Sequence, residues 1–516
     1  MSEVLTVTPE RGDPAAGRSS AVRGDHPSRR WWALVVIALA QLMVVLDASI
    51  VTIALPFAQR DLNISDANKQ WALTAYTLIF GGLLLLGGRL ADYLGRRNVF
   101  LVGLVGFAAA SALGGVAQNQ AMFFAGRGLQ GAFAALLAPS ALSLITVIFT
   151  EQKDRAKAFG VYAAVSGGGA ALGLIAGGVL TEYLNWRWCL LVNTPIAIAA
   201  VVGAFALVHK DRPSPREGGY DVPGAVTATL GLVAVVYGFT RAAEVGWGAN
   251  STIGLFVASV VLLGAFVVIE LRTPNALLPM HIPGERNRGG AYLVALLLPI
   301  AMFAMFLFLS YYFQNTLGYT PLRAGVAFLP FPAGLIVSAG LASALLPRIG
   351  PRPQMLFGAL AGAAGLLYLA QLDVNSTWAA NVLPSELLMA VGMGQAFVAM
   401  QSVALHNIAE KDSGVASALL NTAQQVGGSV GLALLSTIVT QVFTRSPGSA
   451  LIGVDPASHR PIPKDPMAFI SAGIHSYDVA FYWGAGFFVL AAAVIMVTIR
   501  LRADDLKTDT PVAVVA

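Results

Sequence analysis

Residues 31–56 read WWALVVIALAQLMVVLDASIVTIALP. Apart from Gln41, Asp47, Ser49 and Thr52 the run is apolar, and it is longer than the roughly 20 residues a helix needs to cross a bilayer core. Thirteen further stretches have this character, at 70–88, 99–117, 121–148, 157–180, 187–208, 222–242, 251–271, 289–314, 324–346, 353–372, 379–405, 414–443 and 477–500. The chain is therefore expected to be an all-α membrane protein that crosses the bilayer fourteen times.

Composition agrees: 56% of residues are hydrophobic and 11% charged, and mean hydropathy is +0.70. Soluble domains carry about twice that charge. The net charge of +5 does not mark a nucleic-acid partner, because the basic residues sit in short loops at the ends of apolar runs. Of the 32 Lys and Arg, 23 fall in one alternating set of segments and 8 in the other, with Arg127 inside an apolar run. Such asymmetry places the richer set in the cytoplasm, and with an even number of crossings both termini as well. The first 30 residues are polar and lack a signal-peptide core, so they are expected to be disordered. One cysteine, Cys189, excludes an intrachain disulfide and a Cys-rich metal site.

A faint internal repeat joins LADYLGRRNVFLVGL at 90–104 to LLPRIGPRPQMLFGA at 345–359, matching Gly95 with Gly350, Arg97 with Arg352, Leu101 with Leu356 and Gly103 with Gly358. Each segment links the second and third span of a six-span set. Parallel six-helix halves with a site between them are a known transporter architecture. The expected organisation is a cytoplasmic terminus at 1–30, halves at 31–208 and 289–500, a linker at 209–288 carrying two extra spans, and a tail at 501–516. The outer stretch 444–476 reads as irregular and exposed.

Ionisable residues deep in a bilayer are costly and are read as functional. Asp47 lies 16 residues past Trp31, about 24 Å along a helix. There a desolvated carboxylate can exchange a proton. Asp47→Asn is expected to leave folding intact and to abolish proton-driven efflux. Arg127, placed in the cytoplasmic or middle part of the fourth span, is a fixed positive charge that could bias a carboxylate or hold Gln130. Glu386, near the outer end of the twelfth span, reads either as a second titrating group or contact for a cation, or as an interfacial residue. Asp478 reads as a residue near a helix start. In GGRLADYLGRRN, Asp92 and Arg96 stand four apart and can pair if the helix continues. Gly169, Gly173 and Gly177 form a flat stripe for close helix packing.

There is no Gly-Lys dipeptide, hence no Walker A loop, and no His-Glu-x-x-His. The chain is expected to be no enzyme, to need no cofactor or metal, and to draw on an ion or solute gradient.

Several motifs together resemble the fourteen-helix drug:proton antiporter branch of the major facilitator superfamily, over about 31–500. The loop carries Gly88, Leu90, Ala91, Asp92, Gly95, Arg96 and Arg97 of the family's cytoplasmic-loop motif, with Tyr93 where a basic residue is usual. LDASIVTIALP is similar to the first-helix signature and RGLQGAFAA to the fourth-helix motif. WALTAYTL, NWRW with NTPI, LGYTPLRAGVAFLP and GVASALLNTAQQVGGSVG add to the likeness. The fifth-helix motif ends here in Gly173-Leu174-Ile175-Ala176-Gly177-Gly178, so its proline is missing and a straighter helix is expected. Gln424 stands where relatives often carry Arg.

The resemblance implies alternating-access export of amphipathic or cationic drug-like molecules from a bacterial inner membrane by a monomer. Asp47 and Arg127 would couple protons, and Asp92 with Arg96 and Arg97 would gate. Tyr76, Gln130, Glu386, Asn421 and Gln425 would line the cavity. A metabolite facilitator or importer, or a membrane sensor, remains the alternative.

Overall fold

In hydrocarbon every backbone N–H and C=O must be satisfied within the chain, and a helix does this within one segment. The computed structural model describes residues 27–149, 151–208, 221–273, 276–409, 412–447, 452–454, 461–463 and 465–505. Most of the expected disordered terminus, the stretch 209–220 and the tail from 506 lie outside the described residues.

The first helices are α1 Pro27–Asp61, α2 Trp71–Leu94, α3 Arg96–Gly115, α4 Gln120–Ile148, α5 Gln152–Tyr183, α6 Trp188–Leu191 and α7 Asn193–Leu207. Next come α8 Val222–Val245, α9 Asn250–Arg272 and the short α10 His281–Gly284. The last set is α11 Arg286–Tyr311, α12 Pro321–Ala327, α13 Pro330–Ile349, α14 Pro351–Leu369, α15 Leu383–Leu405, α16 Ser413–Arg445 and α17 Pro466–Thr498. A π-helical turn, Tyr312–Thr316, extends α11, and another, Trp378–Val382, leads into α15.

With α6–α7 and α12–α13 each counted as one crossing, thirteen helical segments among the described residues are long and apolar enough to cross a membrane. Helix α14 supplies the fourteenth expected span; its opening Pro351-Arg352-Pro353-Gln354 makes it more polar.

Two expectations are corrected near the end of the chain. The outer stretch is not wholly irregular: β1 Ile452–Val454 pairs antiparallel with β2 Pro461–Pro463. The final helix begins at Pro466, not 477, because Asp465 accepts the backbone N–H groups of Met467 and Ala468 as a cap and Pro466 suits the first turn. Asp478 is therefore well inside α17.

Helices α1–α7 form one bundle, with α4 against α2 and α3, α5 against α1, and α7 against α1 and α3. Helices α11–α17 form another, with α15 against α13 and α14, and α11 against α16 and α17. The repeat has a structural counterpart. Gly95 and Gly350 both take positive φ, +89° and +85°, at the corner between consecutive helices. Arg97 Nη2 donates to the Phe205 carbonyl (3.1 Å), and Arg352 Nη2 to the Met496 carbonyl (2.9 Å).

We call the side where α1 begins and α17 ends the terminal face, and the other the far face. Toward the far face the bundles are stitched together. Ser310 Oγ donates to the Thr52 carbonyl (2.9 Å), Gln314 Nε2 to Ile53 (3.2 Å), Tyr311 OH to Gln59, and the Leu322 N–H to Glu182 (3.0 Å). Thr77 and Ser429 share a 2.6 Å bond nearer the middle. Toward the terminal face Val161 of α5 and Ile336, Val337 and Leu341 of α13 are exposed, and Gly160, Gly168 and Gly340 have open space beside them.

Helix α8 lies against both α2 and α16. Thr240 Oγ1 accepts from Gln70 Nε2 (3.1 Å) and Trp71 Nε1 (3.0 Å), while Thr437 Oγ1 and Gln441 Nε2 donate to the Phe239 and Ala242 carbonyls. One of the two extra helices thus braces a seam between the bundles. Helix α9 packs on α8 and leaves Val260 and Leu271 exposed.

Candidate functional site

The first bundle encloses a polar cluster in an otherwise apolar interior. Asp47 of α1, Arg127 and Gln130 of α4, Ser111 of α3 and Asn193 of α7 are all fully buried. Arg127 Nη1 donates to Asp47 Oδ2 at 2.5 Å and to Gln130 Oε1 at 2.8 Å. Asp47 Oδ1 also accepts from Gln130 Nε2 (2.8 Å) and Asn193 Nδ2 (2.6 Å). Gln130 Nε2 donates as well to Ser111 Oγ (2.7 Å). Arg127 Nε donates to the Ala72 carbonyl (2.8 Å), and its Cζ stands 4.7 Å from the centroid of the Tyr76 ring.

Helix geometry explains the convergence. Arg127 and Gln130 are three apart on α4 and share a face. Gly131 of α4 lies against the α2 backbone at Phe80, and Gly126 against the α3 backbone at Gly114, so the three helices approach closely around the guanidinium. One expectation is corrected: Arg127 is in the far half of its span. Helix α4 starts at the far face with Gln120, which leaves Arg127 about 10 Å from that end. Asn193 and Ser111 were not read as site residues. Asn193 was visible as the first residue of NTPI; Ser111, in an apolar run, carried no signal.

A carboxylate and a guanidinium in a dry interior are held by each other and by surrounding donors, because neither is stable there alone. Among the described residues Arg127 Nη2 and Asn193 Oδ1 have no hydrogen-bond partner.

The glycine stripe packs on α1: a Cβ on Gly169 would meet Val45 at 3.1 Å, one on Gly173 the Leu46 carbonyl at 2.8 Å, and one on Gly177 the Ile50 carbonyl at 2.8 Å. Gly178 instead faces Leu322 of α12, across the seam. Helix α5 runs unbroken past Leu174, which is buried. At the expected gating loop the helix does not run on: Gly95 ends α2 and starts α3. The side chain of Asp92 lies outside the described residues. Gly88 lies against Pro139, and the Arg97 guanidinium stacks on Phe205.

The residues expected to line a cavity separate into two groups. Tyr76, Gln130 and Glu386 are buried in bundle interiors, not on an open wall, and neither Glu386 carboxyl oxygen has a partner among the described residues. Glu386 is thus no interfacial residue. On α16, Asn421 is exposed and Gln425 is half-buried against Gly81 of α2. Gly427-Gly428-Ser429-Val430-Gly431 matches the serine-hydrolase pentapeptide Gly-x-Ser-x-Gly, contrary to the expectation that the chain has none. It lies within α16, and Ser429 Oγ is bound to the Gln425 carbonyl (2.7 Å) and to Thr77, so it forms no strand-to-helix elbow.

Two packed helix bundles, thirteen segments among the described residues long and apolar enough to cross a membrane, and a buried ion pair describe a multi-pass membrane transporter, not an enzyme. The chain belongs to the Major Facilitator Superfamily, whose pattern matches residues 37–432. It is 46% identical over 489 residues to the puromycin resistance protein pur8 of Streptomyces alboniger, covering 94% of both chains. It is 36% identical to the cephamycin export protein CmcT of Amycolatopsis lactamdurans, over 87% of this chain and 93% of that one. The tetracenomycin C resistance and export protein of Streptomyces glaucescens is 32% identical over 84% of this chain and 80% of its own. Among solved structures, a bacterial homologue of the human lysosomal transporter Spinster, inward-facing and unoccupied, superposes with a TM-score of 0.64 at 16% identity, covering 94% and 98% of the two chains. That likeness concerns the fold alone.

Proposed function

We propose that the chain exports antibiotic-like small molecules across the cell membrane in exchange for protons, as a member of the fourteen-helix drug:proton antiporter branch. The observation that carries this reading is the buried Asp47–Arg127 pair, a protonatable group on the first helix with a fixed counter-charge. The resistance and export relatives support the substrate class.

Segments 31–208 and 289–500 would move as two bodies, with 209–288 as the linker. The terminal face is assigned to the cytoplasm, with both termini there. The present arrangement, joined at the far face and exposed along α5 and α13 toward the terminal face, would then accept an amphipathic or cationic substrate from inside, beside Asn421 and Gln425. Opening of the far face would let a proton reach Asp47, neutralise it and loosen Arg127. The glycine stripe would let α5 slide on α1, and the Gly88–Arg97 corner, with Asp92, would gate the inner side. The proton gradient replaces any cofactor, and the monomer is the working unit.

Everted vesicles with an imposed proton gradient test this. Compound-dependent proton release on adding puromycin or a cationic dye, lost in Asp47→Asn, is expected. Flux that ignores pH would overturn proton coupling and support a facilitator. Leu174 in place of the motif proline is the one feature that favours that second reading, and Leu174→Pro would then be the variant to make.

A further inference from the structure

At the terminal end of the second bundle, the segment that follows α17 folds back onto the corner between α13 and α14. A Cβ on Gly350 would stand 2.9 Å from the Ala503 nitrogen, so the close approach as well as the positive φ requires glycine there. Two backbone bonds fix the segment: the Arg500 N–H donates to Asn287 Oδ1 (2.8 Å) and the Arg502 N–H to Asp505 Oδ2 (2.8 Å). Between the segment and the corner lies a cavity of about 400 Å³, lined by Arg352, Arg500 and Arg502 with Ile349, Pro353 and Leu501 among its apolar walls.

Three arginines line this cavity, Arg352 also donating to the Met496 carbonyl, and among the described residues none of the three is in an ion pair. The nearby acidic residues are engaged: Asp505 holds the Arg502 N–H, and Asp504 has interactions of its own. Proline at 351 and 353 removes two donors from the first turn of α14, so an anion here would be held by side chains and not by the helix end. Beside the cavity Ile349, Met496 and Val497 are 47%, 51% and 64% exposed, a strip of apolar surface on helices that cross the membrane. A cationic pocket opening onto such a strip matches a molecule with a phosphate head and hydrocarbon chains. The first bundle lacks this arrangement: the equivalent Arg97 is covered by the Phe205 ring.

We propose that Arg352, Arg500 and Arg502 form a binding site for the phosphate headgroup of an anionic phospholipid, whose chains lie along Ile349, Met496 and Val497. The site is separate from the Asp47–Arg127 cluster and does not depend on what is transported.

Native mass spectrometry of the full-length protein in detergent tests it, with phosphatidylglycerol and phosphatidylcholine of matched chains as probes. Phosphatidylglycerol is expected to be retained preferentially. Arg500→Gln and Arg502→Gln, which lie after the last helix and so spare its fold, should each lower that retention roughly fivefold, the equivalent of one surface cation against an anionic lipid. Arg272→Gln, at the same face but outside the cavity, should leave it unchanged. Equal retention of the two lipids would overturn the proposal. So would an equal loss in Arg272→Gln, which would mean diffuse attraction by all the basic loops. Displacement of phosphatidylglycerol by millimolar inorganic phosphate, with phosphate adducts in its place, would assign the pocket to free phosphate and remove the lipid.

Discussion

Asp47→Asn separates the two things the buried pair does. The carboxylate accepts from Arg127, Gln130 and Asn193, and all four residues are fully buried. An asparagine oxygen can serve part of this donor set, but its amide adds two more hydrogens to an already donor-rich site. Arg127 keeps its charge at neutral pH and would lose its only anionic partner among the described residues. Removing one partner of a buried pair costs about 3–5 kcal/mol. Sequence alone gives the expectation that folding is intact; full burial changes it to a marked loss of stability alongside the loss of proton-driven export. Arg127→Gln alone strands the carboxylate and should cost about as much. The double variant Asp47→Asn/Arg127→Gln removes both charges and should lose clearly less than the sum of the singles. Unfolding midpoints in one detergent across the four proteins measure this. If Asp47→Asn unfolds within about 0.5 kcal/mol of the parent, the pair carries no such load and the coupling argument built on it fails.

Gly177→Val should cost about 1–3 kcal/mol, because its Cβ would stand 2.8 Å from the Ile50 carbonyl. Gly168→Ala, with open space beside it, should be neutral or gain up to about 1 kcal/mol of helix propensity; thermal unfolding compares the two. Glu386→Leu replaces a buried carboxyl without partners by an apolar group and should raise stability by about 1–3 kcal/mol, and a fall in the midpoint would show that the carboxyl is bound. At the far face Lys69 Nζ pairs with Asp66 (2.9 Å) and lies 4.4 Å from the Tyr311 ring of the other bundle. Lys69→Met should loosen this closure by about 0.5–2 kcal/mol, read as faster labelling of a cysteine placed at Thr52, which is buried and joins the seam only through its carbonyl. The Lys69 charge holds the Asp66 carboxyl below its ordinary value of 3.8. A lowered value keeps the pair's contribution present above the ordinary value and removes it only as pH falls through the lowered one, so the ratio of the Lys69→Met labelling rate to that of the protein keeping Lys69, which cancels the pH dependence of the thiolate, should be flat from pH 5 to 8.

Length and apolarity were enough to place the helices, because a segment in hydrocarbon must satisfy its own backbone and the sequence records that locally. Each of the fourteen expected spans coincides with a helix. The far end of α17 was misplaced, since the cap at Asp465 outweighs the modest polarity of the residues after it. Asp47 and Arg127 stood out as charges in apolar runs, and the repeat pointed to the matching corners at Gly95 and Gly350.

The tertiary structure decided which of these residues meet. Asp47 and Arg127 are 80 residues apart, and nothing in either segment states that α7 brings Asn193 to the same carboxylate. The family resemblance put Tyr76 and Gln130 on a cavity wall, whereas both are packed inside a bundle, and the sequence left open what the extra helix α8 braces. Such facts depend on how helix faces pack against one another, and packing is a property of all the segments together, whereas crossing the membrane is a property of each one alone.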